Sequence, residues 1–255
     1  METITAEKFD AGLFDLDGVL TATAEIHARC WKTMFDAYLR ARADRLGGPF
    51  REFTVEGDYR PFVDGKPRPD GVRDFLASRG ITLPEGDPGD PPDAETVAGL
   101  GNRKNELVQA EIRAGHVRVF DDAVTLVRRL LAAGLKAAVV TSSRNCEPVL
   151  RAAGIADLFR ERVDGEVAAR YGLPGKPAPD TFLKGAELLG VPPSRAIVFE
   201  DATAGVAAGR AGGFGLVVGV DRVGGRHPEA LRSSGADVVS GDLSLLMPDP
   251  SAPPR

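Results

Sequence analysis

From Val119 onward, apolar runs of strand length alternate with stretches of helical spacing, and this alternation leaves few folds open. A strand that is apolar along its whole length must be covered on both faces, as happens in a parallel sheet with crossover helices. Leu135-Lys136-Ala137-Ala138-Val139-Val140, Ala196-Ile197-Val198-Phe199 and Gly215-Leu216-Val217-Val218-Gly219-Val220 read as such strands, with shorter ones near Val163 and at Val238-Val239. Helices are expected over residues 121–131, 145–153, 181–189 and 203–211; Asp121 or Asp122 starts the first, and Gly134 stops it. A further apolar run, residues 11–14, supplies a strand before this series. Ligands of such sheets bind beyond the carboxyl ends of the strands.

Between the first strand and the rest lies a helical insert. Residues 24–43 show helical spacing through Ile26, Cys30, Met34, Ala37 and Ala41, flanked by Trp31 and Tyr38. Residues 70–78 read as a helix carrying Val72, Phe75 and Leu76 and stopped by Gly80, and residues 94–114 as another ending at Gly115. Residues 83–93, rich in Pro, Gly and Asp, read as a surface loop. The fold class is therefore α/β: a Rossmann-like parallel-sheet core of residues 1–21 and 116–247 with an inserted α-helical cap domain of residues 22–115. Residues 248–255 form a Pro-rich tail, expected to be disordered.

Four short stretches carry the chemistry: Phe14-Asp15-Leu16-Asp17-Gly18, Val140-Thr141-Ser142-Ser143, Gly175-Lys176-Pro177 and Phe199-Glu200-Asp201. A period of two places Asp15 and Asp17 on one face with Leu16 turned away. Two carboxylates so close need a shared proton or a metal, and Glu200 and Asp201 offer further oxygens for Mg2+ while Lys176 offers the counter-charge. Asp15, which directly ends a strand, is the better placed nucleophile, and its attack on phosphorus gives an acyl phosphate. Asp17 then serves as general acid and base, and the Thr141 hydroxyl donates to a phosphoryl oxygen. Alone, a D-x-D is an ordinary turn, an E-D pair a helix cap and a K-P a loop. Three of the four directly follow expected strands, which caps and turns do not explain.

These residues resemble the motifs of the haloacid dehalogenase superfamily of aspartate-nucleophile phosphotransferases, and within it the β-phosphoglucomutase-like group with a helical cap. The resemblance rests on Asp15-Leu16-Asp17-Gly18-Val19-Leu20-Thr21, Val139-Val140-Thr141-Ser142-Ser143, Lys176-Pro177-Ala178-Pro179-Asp180 and Phe199-Glu200-Asp201-Ala202. It implies Mg2+ held by Asp15, Asp17, Glu200 and Asp201, and a phosphate held by Thr141, Ser142, Asn145 and Lys176. An acid at position 17 marks the phosphatases and mutases of the superfamily and argues against dehalogenation. In the insert, the turn Val63-Asp64-Gly65-Lys66-Pro67-Arg68 presents a guanidinium able to grip phosphate with two hydrogen bonds, and it matches the family's G-x-x-R motif. By resemblance Arg68 holds the phosphate not being transferred, Lys104 contacts the sugar or its phosphate, and Thr23 and His27 link cap closure to Asp17. On residues alone, Asn102-Arg103-Lys104-Asn105 also reads as a solvated helix face. Ala22 departs from the usual polar residue, as do the Pro-rich residues 86–92 from the compact cap.

Composition narrows the partners. Lys and Arg number 32 against 37 Asp and Glu, a net charge of −5, with no dense basic run for nucleic acid or an anionic membrane. No apolar stretch has membrane-spanning length, and the polar first ten residues are unlike a secretory signal, so a cytoplasmic monomer acting on a small phosphorylated sugar is expected. Cys30 and Cys146 are too few for a disulfide framework, although Cys146, near a helix start, is placed where a thiol pKa can fall. The expected function is a β-phosphoglucomutase-like transfer between the 1- and 6-positions of β-glucose phosphate through an aspartyl phosphate and a sugar bisphosphate. The rivals are a Mg2+-dependent sugar-phosphate phosphatase and a non-catalytic phosphosugar sensor.

Overall fold

The computed structural model describes residues 4–247; the tail expected at 248–255 lies outside the described residues. The chain divides into two compact units: Ala24–His116, and the residues on either side of it.

In the flanking unit, strand β1 (Ala11–Phe14) is followed, after the other unit, by helix α5 (Asp121–Ala132), β2 (Lys136–Val140), α6 (Cys146–Ala152), β3 (Glu161–Val163), α7 (Gly165–Tyr171), α8 (Asp180–Leu189), β4 (Ala196–Glu200), α9 (Thr203–Ala211), β5 (Leu216–Val220), α10 (His227–Ser233) and β6 (Val238–Ser240). The six strands form one parallel sheet in the order β3-β2-β1-β4-β5-β6. Every residue of β1, β4 and β5 is buried, the result of covering both faces of an apolar strand. Strand order reverses between β1 and β4, which opens a crevice at their carboxyl ends. Phe14 pairs in register with Val139 on one side and Phe199 on the other, so the residues just beyond them emerge at one edge. The Phe14 and Phe199 rings stack at 4.3 Å and lock that edge.

The unit Ala24–His116 is helical. It contains α1 (Ala24–Leu46), a π-turn at Val55–Tyr59 running into the short α2 (Arg60–Phe62), α3 (Arg68–Ser78) and α4 (Val97–Arg113). Thr54 and Thr96 accept from Gly57 N–H and Gly99 N–H and so cap the π-turn and α4. The apolar spacing of α1 delivers Trp31 and Phe35 to an aromatic core, where Phe35 lies 5.2 Å from Trp31, 5.1 Å from Phe53 and 4.2 Å from Phe75, centroid to centroid. Arg79 crosses the Phe75 ring and pairs with the buried Asp58 at 2.8 Å.

Apart from short 3-10 turns, the helical elements with no counterpart in the sequence expectation are the π-turn with α2, α7 and α10. None presents the apolar stripe by which helices are read. No residue of α7 is buried, and α10 buries Leu231 alone. Elsewhere the expected helices and strands agree with the structure to within about three residues at each end.

Trp31 is the chain's single tryptophan, and it lies against Phe35. Its fluorescence therefore reports the unfolding of the helical unit alone. Replacing Phe35 by Ala is expected to cost that transition about 3–5 kcal/mol, read as a fall in the urea midpoint at unchanged slope.

Candidate active site

The Lys176 ammonium is fully buried at the strand edge and uses its three N–H donors on three groups. It donates to Asp15 Oδ1 at 2.6 Å, Glu200 Oε2 at 2.7 Å and the Val140 carbonyl at 3.1 Å. One cation thus ties together the ends of β1, β2 and β4. Burial disfavours the charged amine, but the Asp15 and Glu200 carboxylates outweigh it and hold the Lys176 pKa well above its ordinary value. Burial raises Asp15 to about 6, with Lys176 opposing and Asp17 adding to the rise. It raises Glu200 to about 7, helped by Asp15 and opposed by Lys176.

Asp15, Glu200 and Asp201 each bring one carboxylate oxygen within 4.8 Å of the others. Two glycines make room for them. Gly18, at a φ of 95°, would place a Cβ 1.8 Å from Asp201 Oδ2, and Gly205 in α9 would place one 2.1 Å from the Glu200 carboxyl. Only glycine allows both carboxylates their positions. A hard, all-oxygen donor set of this kind suits Mg2+. Asp17, also expected among the ligands, has its Oδ1 bound by a neighbouring hydroxyl. It accepts a short hydrogen bond from the Thr23 hydroxyl, which stands 2.7 Å from Thr21 Oγ1, itself donating to the Leu16 carbonyl. Thr23 is buried, so Asp17 is aimed by a fixed group.

Thr141 leaves the end of β2 with its N–H on the Val163 carbonyl. The turn beyond it is self-bonded, Ser143 N–H donating to Thr141 Oγ1 and Asn145 N–H to Ser143 Oγ, both at 3.1 Å. Thr141 and Asn145 are buried and Ser142 is half-buried. Cys146 follows, fully enclosed; burial, reinforced by Asp164 and Asp17, pushes its thiol far above the ordinary range. Desolvation therefore overrides any effect of the helix start, and the placement read as lowering its pKa does the reverse.

In the helical unit, Arg68 opens α3 and donates to Asn105 Oδ1 at 2.9 Å, its stem crossing α4 at Gly101, where a Cβ would lie 3.1 Å from Arg68 Cδ. Lys104 is buried, not on a solvated face. Its Nζ is 2.7 Å from His27 Nδ1 and 5.0 Å from the Trp31 ring centroid. Burial, then Lys104 and Arg68, hold the His27 pKa well below its ordinary value, so the neutral ring accepts the Lys104 proton donor at Nδ1. The structure thus brings Arg68, Lys104 and His27 into one electrostatic group with two positive charges. Residues absent from the sequence expectation are Gly205, whose only signal is its place after Glu200-Asp201, and Arg144, an exposed cation on the Thr141 turn.

Residues 9–213 match the family model described as haloacid dehalogenase-like hydrolase. The chain belongs to that family. Proteins named β-phosphoglucomutase from Mycobacterium bovis and Mycobacterium tuberculosis are each 53% identical to it over 242 residues, spanning 94% of this chain and 92% of theirs. The crystal structure of β-phosphoglucomutase from Clostridium difficile shares the fold, with a TM-score of 0.72 at 24% identity over 93% of both chains. The α/β sheet with its helical insert is thus the haloacid dehalogenase-like fold.

The buried carboxylates of this haloacid dehalogenase-like enzyme carry a pH signature. Both folded values lie above the reference values of 3.8 and 4.5, so the folded chain holds protons there that the unfolded chain has released. Stability from this source is present at pH 4 and is lost as pH rises through about 6 and 7. In excess chelator, wild-type protein is therefore expected to lose melting temperature from pH 4 to 7 relative to an Asp15→Asn variant. A parallel course for the two proteins would contradict the assignment.

Proposed function

We propose that the chain is a Mg2+-dependent β-phosphoglucomutase, interconverting β-glucose 1-phosphate and glucose 6-phosphate. The observation that carries this reading is the pairing of two unlike carboxylates at one strand end: Asp15 bound by Lys176 inside the acidic cluster, and Asp17 bound by the Thr23 hydroxyl. The first suits a nucleophile and the second a proton carrier. The 53% identity to proteins named β-phosphoglucomutase over most of both chains supports the substrate.

Asp15, Glu200 and Asp201 would hold Mg2+, which supplies positive charge against the transferring phosphoryl group. Starting from phosphorylated Asp15, the Asp17 carboxylate takes the proton of the sugar 6-hydroxyl as that oxygen attacks phosphorus. The bond from phosphorus to Asp15 breaks, leaving a sugar 1,6-bisphosphate and a free carboxylate. After the bisphosphate turns round, Asp15 attacks the 1-phosphate and Asp17 returns its proton to O1, which leaves as glucose 6-phosphate. Thr141 and Lys176 stabilise the phosphoryl oxygens. Arg68 takes the phosphate that is not being transferred, with Lys104 and His27 beside it; Ser142 and Asn145 complete the phosphate turn.

Incubation with β-glucose 1-phosphate, Mg2+ and a trace of the 1,6-bisphosphate is expected to yield glucose 6-phosphate well above free phosphate. Free phosphate as the main product would establish the phosphatase instead. Arg68→Ala is expected to lower interconversion by about a hundredfold or more, since a misplaced bisphosphate loses near-attack geometry. Uptake of a phosphoryl group from acetyl phosphate, which has no second phosphate, should survive in the same variant. Equal loss of both activities would make Arg68 a folding residue.

A further inference from the structure

The main chain of the turn after β4 is held by a side chain from outside the four motifs. His227, the first residue of α10, places Nε2 2.8 Å from the Asp201 carbonyl and Nδ1 2.7 Å from Asp221 Oδ1. Both facing atoms are acceptors, so the ring is the donor of the pair, through one N–H when neutral and through two when protonated. Its side chain is only 9% exposed. Asp221 directly follows β5, the parallel neighbour of β4, so the bridge spans two adjacent strand ends.

The seat under the ring is itself fixed. Asp221 Oδ1 also accepts from the N–H groups of Val223 at 3.1 Å and Gly224 at 2.8 Å, which folds the loop back on its first residue. Arg222 anchors the same loop to Asp122 Oδ2 at 2.9 Å and to the Gly241 carbonyl at 2.8 Å. Asp201 is thereby defined from two directions. Gly18 leaves the space its carboxylate occupies, and His227 holds its backbone.

We propose that His227, seated by Asp221, is a positioning residue for the cation site: it fixes the Asp201 main chain so that the Asp201 carboxylate meets those of Asp15 and Glu200. This rests on the reading of those three carboxylates as the Mg2+ site. Groups that orient metal ligands without touching the metal change affinity by about 10- to 100-fold when lost.

The test is Mn2+ binding to the chelator-treated full chain, followed by the electron paramagnetic resonance signal of free Mn2+, with thermal unfolding of each variant alongside. His227→Phe keeps an aromatic ring and removes both ring nitrogens; its Kd for Mn2+ is expected to rise about tenfold or more at an unchanged melting temperature. His227→Gln keeps one donor and is expected to fall between the two, and it is the variant to read if the phenylalanine form does not fold. A wild-type Kd in whichever folded variant is read overturns the proposal. Wild-type protein that binds no Mn2+, or Asp201→Ala that binds it as wild type does, would overturn the metal site itself. The two failures are therefore distinguishable.

Discussion

The buried Lys176 ammonium is the interaction on which the rest of the site depends. It lies where three parallel strands end, and it bonds to one group from each: the residue after β1, the last residue of β2 and the last residue of β4. Without it, Asp15 and Glu200 would face each other as buried carboxylates with no counter-charge, and breaking a buried pair in this way costs about 3–5 kcal/mol. The strand order makes the arrangement possible, because the reversal between β1 and β4 sets their ends side by side. Apolar burial of the sheet thus holds charged groups at its edge that water would otherwise separate.

In the proposed function that constraint divides the labour between the two aspartates. Asp15 lies inside the charge cluster, bonded to Lys176 through Oδ1 and with a carboxylate oxygen within reach of Glu200 and Asp201. Asp17, two residues on, is held by Thr23 in a separate hydrogen-bonded chain through Thr21 to the Leu16 carbonyl. In the proposed reaction a nucleophile needs its charge near phosphorus and balanced, whereas a proton carrier needs its carboxylate aimed at the oxygen it serves. The same side-chain type meets both needs because its neighbours differ. In the helical unit, burial plays the corresponding part by making His27 neutral beside two cations.

The sheet and the strand-end motifs were legible in the sequence because each apolar run stops at a polar residue with a chemical reason to be there. Asp15, Thr141 and Glu200 could be placed at one edge by pattern alone, and the structure sets them there. What could not be read was tertiary. For Asp17, a period of two says which face a side chain takes, not which partner it finds; Thr23 supplies one partner. Lys104 sits in a segment that reads as a solvated face, yet the helix packs it against Trp31 and His27. Cys146 shows the same limit, since helix position gave one sign for its pKa and burial the other. Helices α7 and α10 lack an apolar stripe, so His227 came into view only through its contacts.

In the proposed mechanism the Asp15 carboxylate carries the phosphoryl group and the Asp17 carboxylate moves the protons. The most direct measurement is rapid quenching during turnover in wild-type and Asp17→Asn protein, followed by reductive trapping of the acyl phosphate and peptide mass spectrometry. The account predicts a single trapped site at Asp15 in both, with the phosphoryl group persisting longest in the Asp17→Asn protein, where its transfer to sugar lacks a base. A trapped site on any other residue, or rapid loss of the group without Asp17, would contradict it.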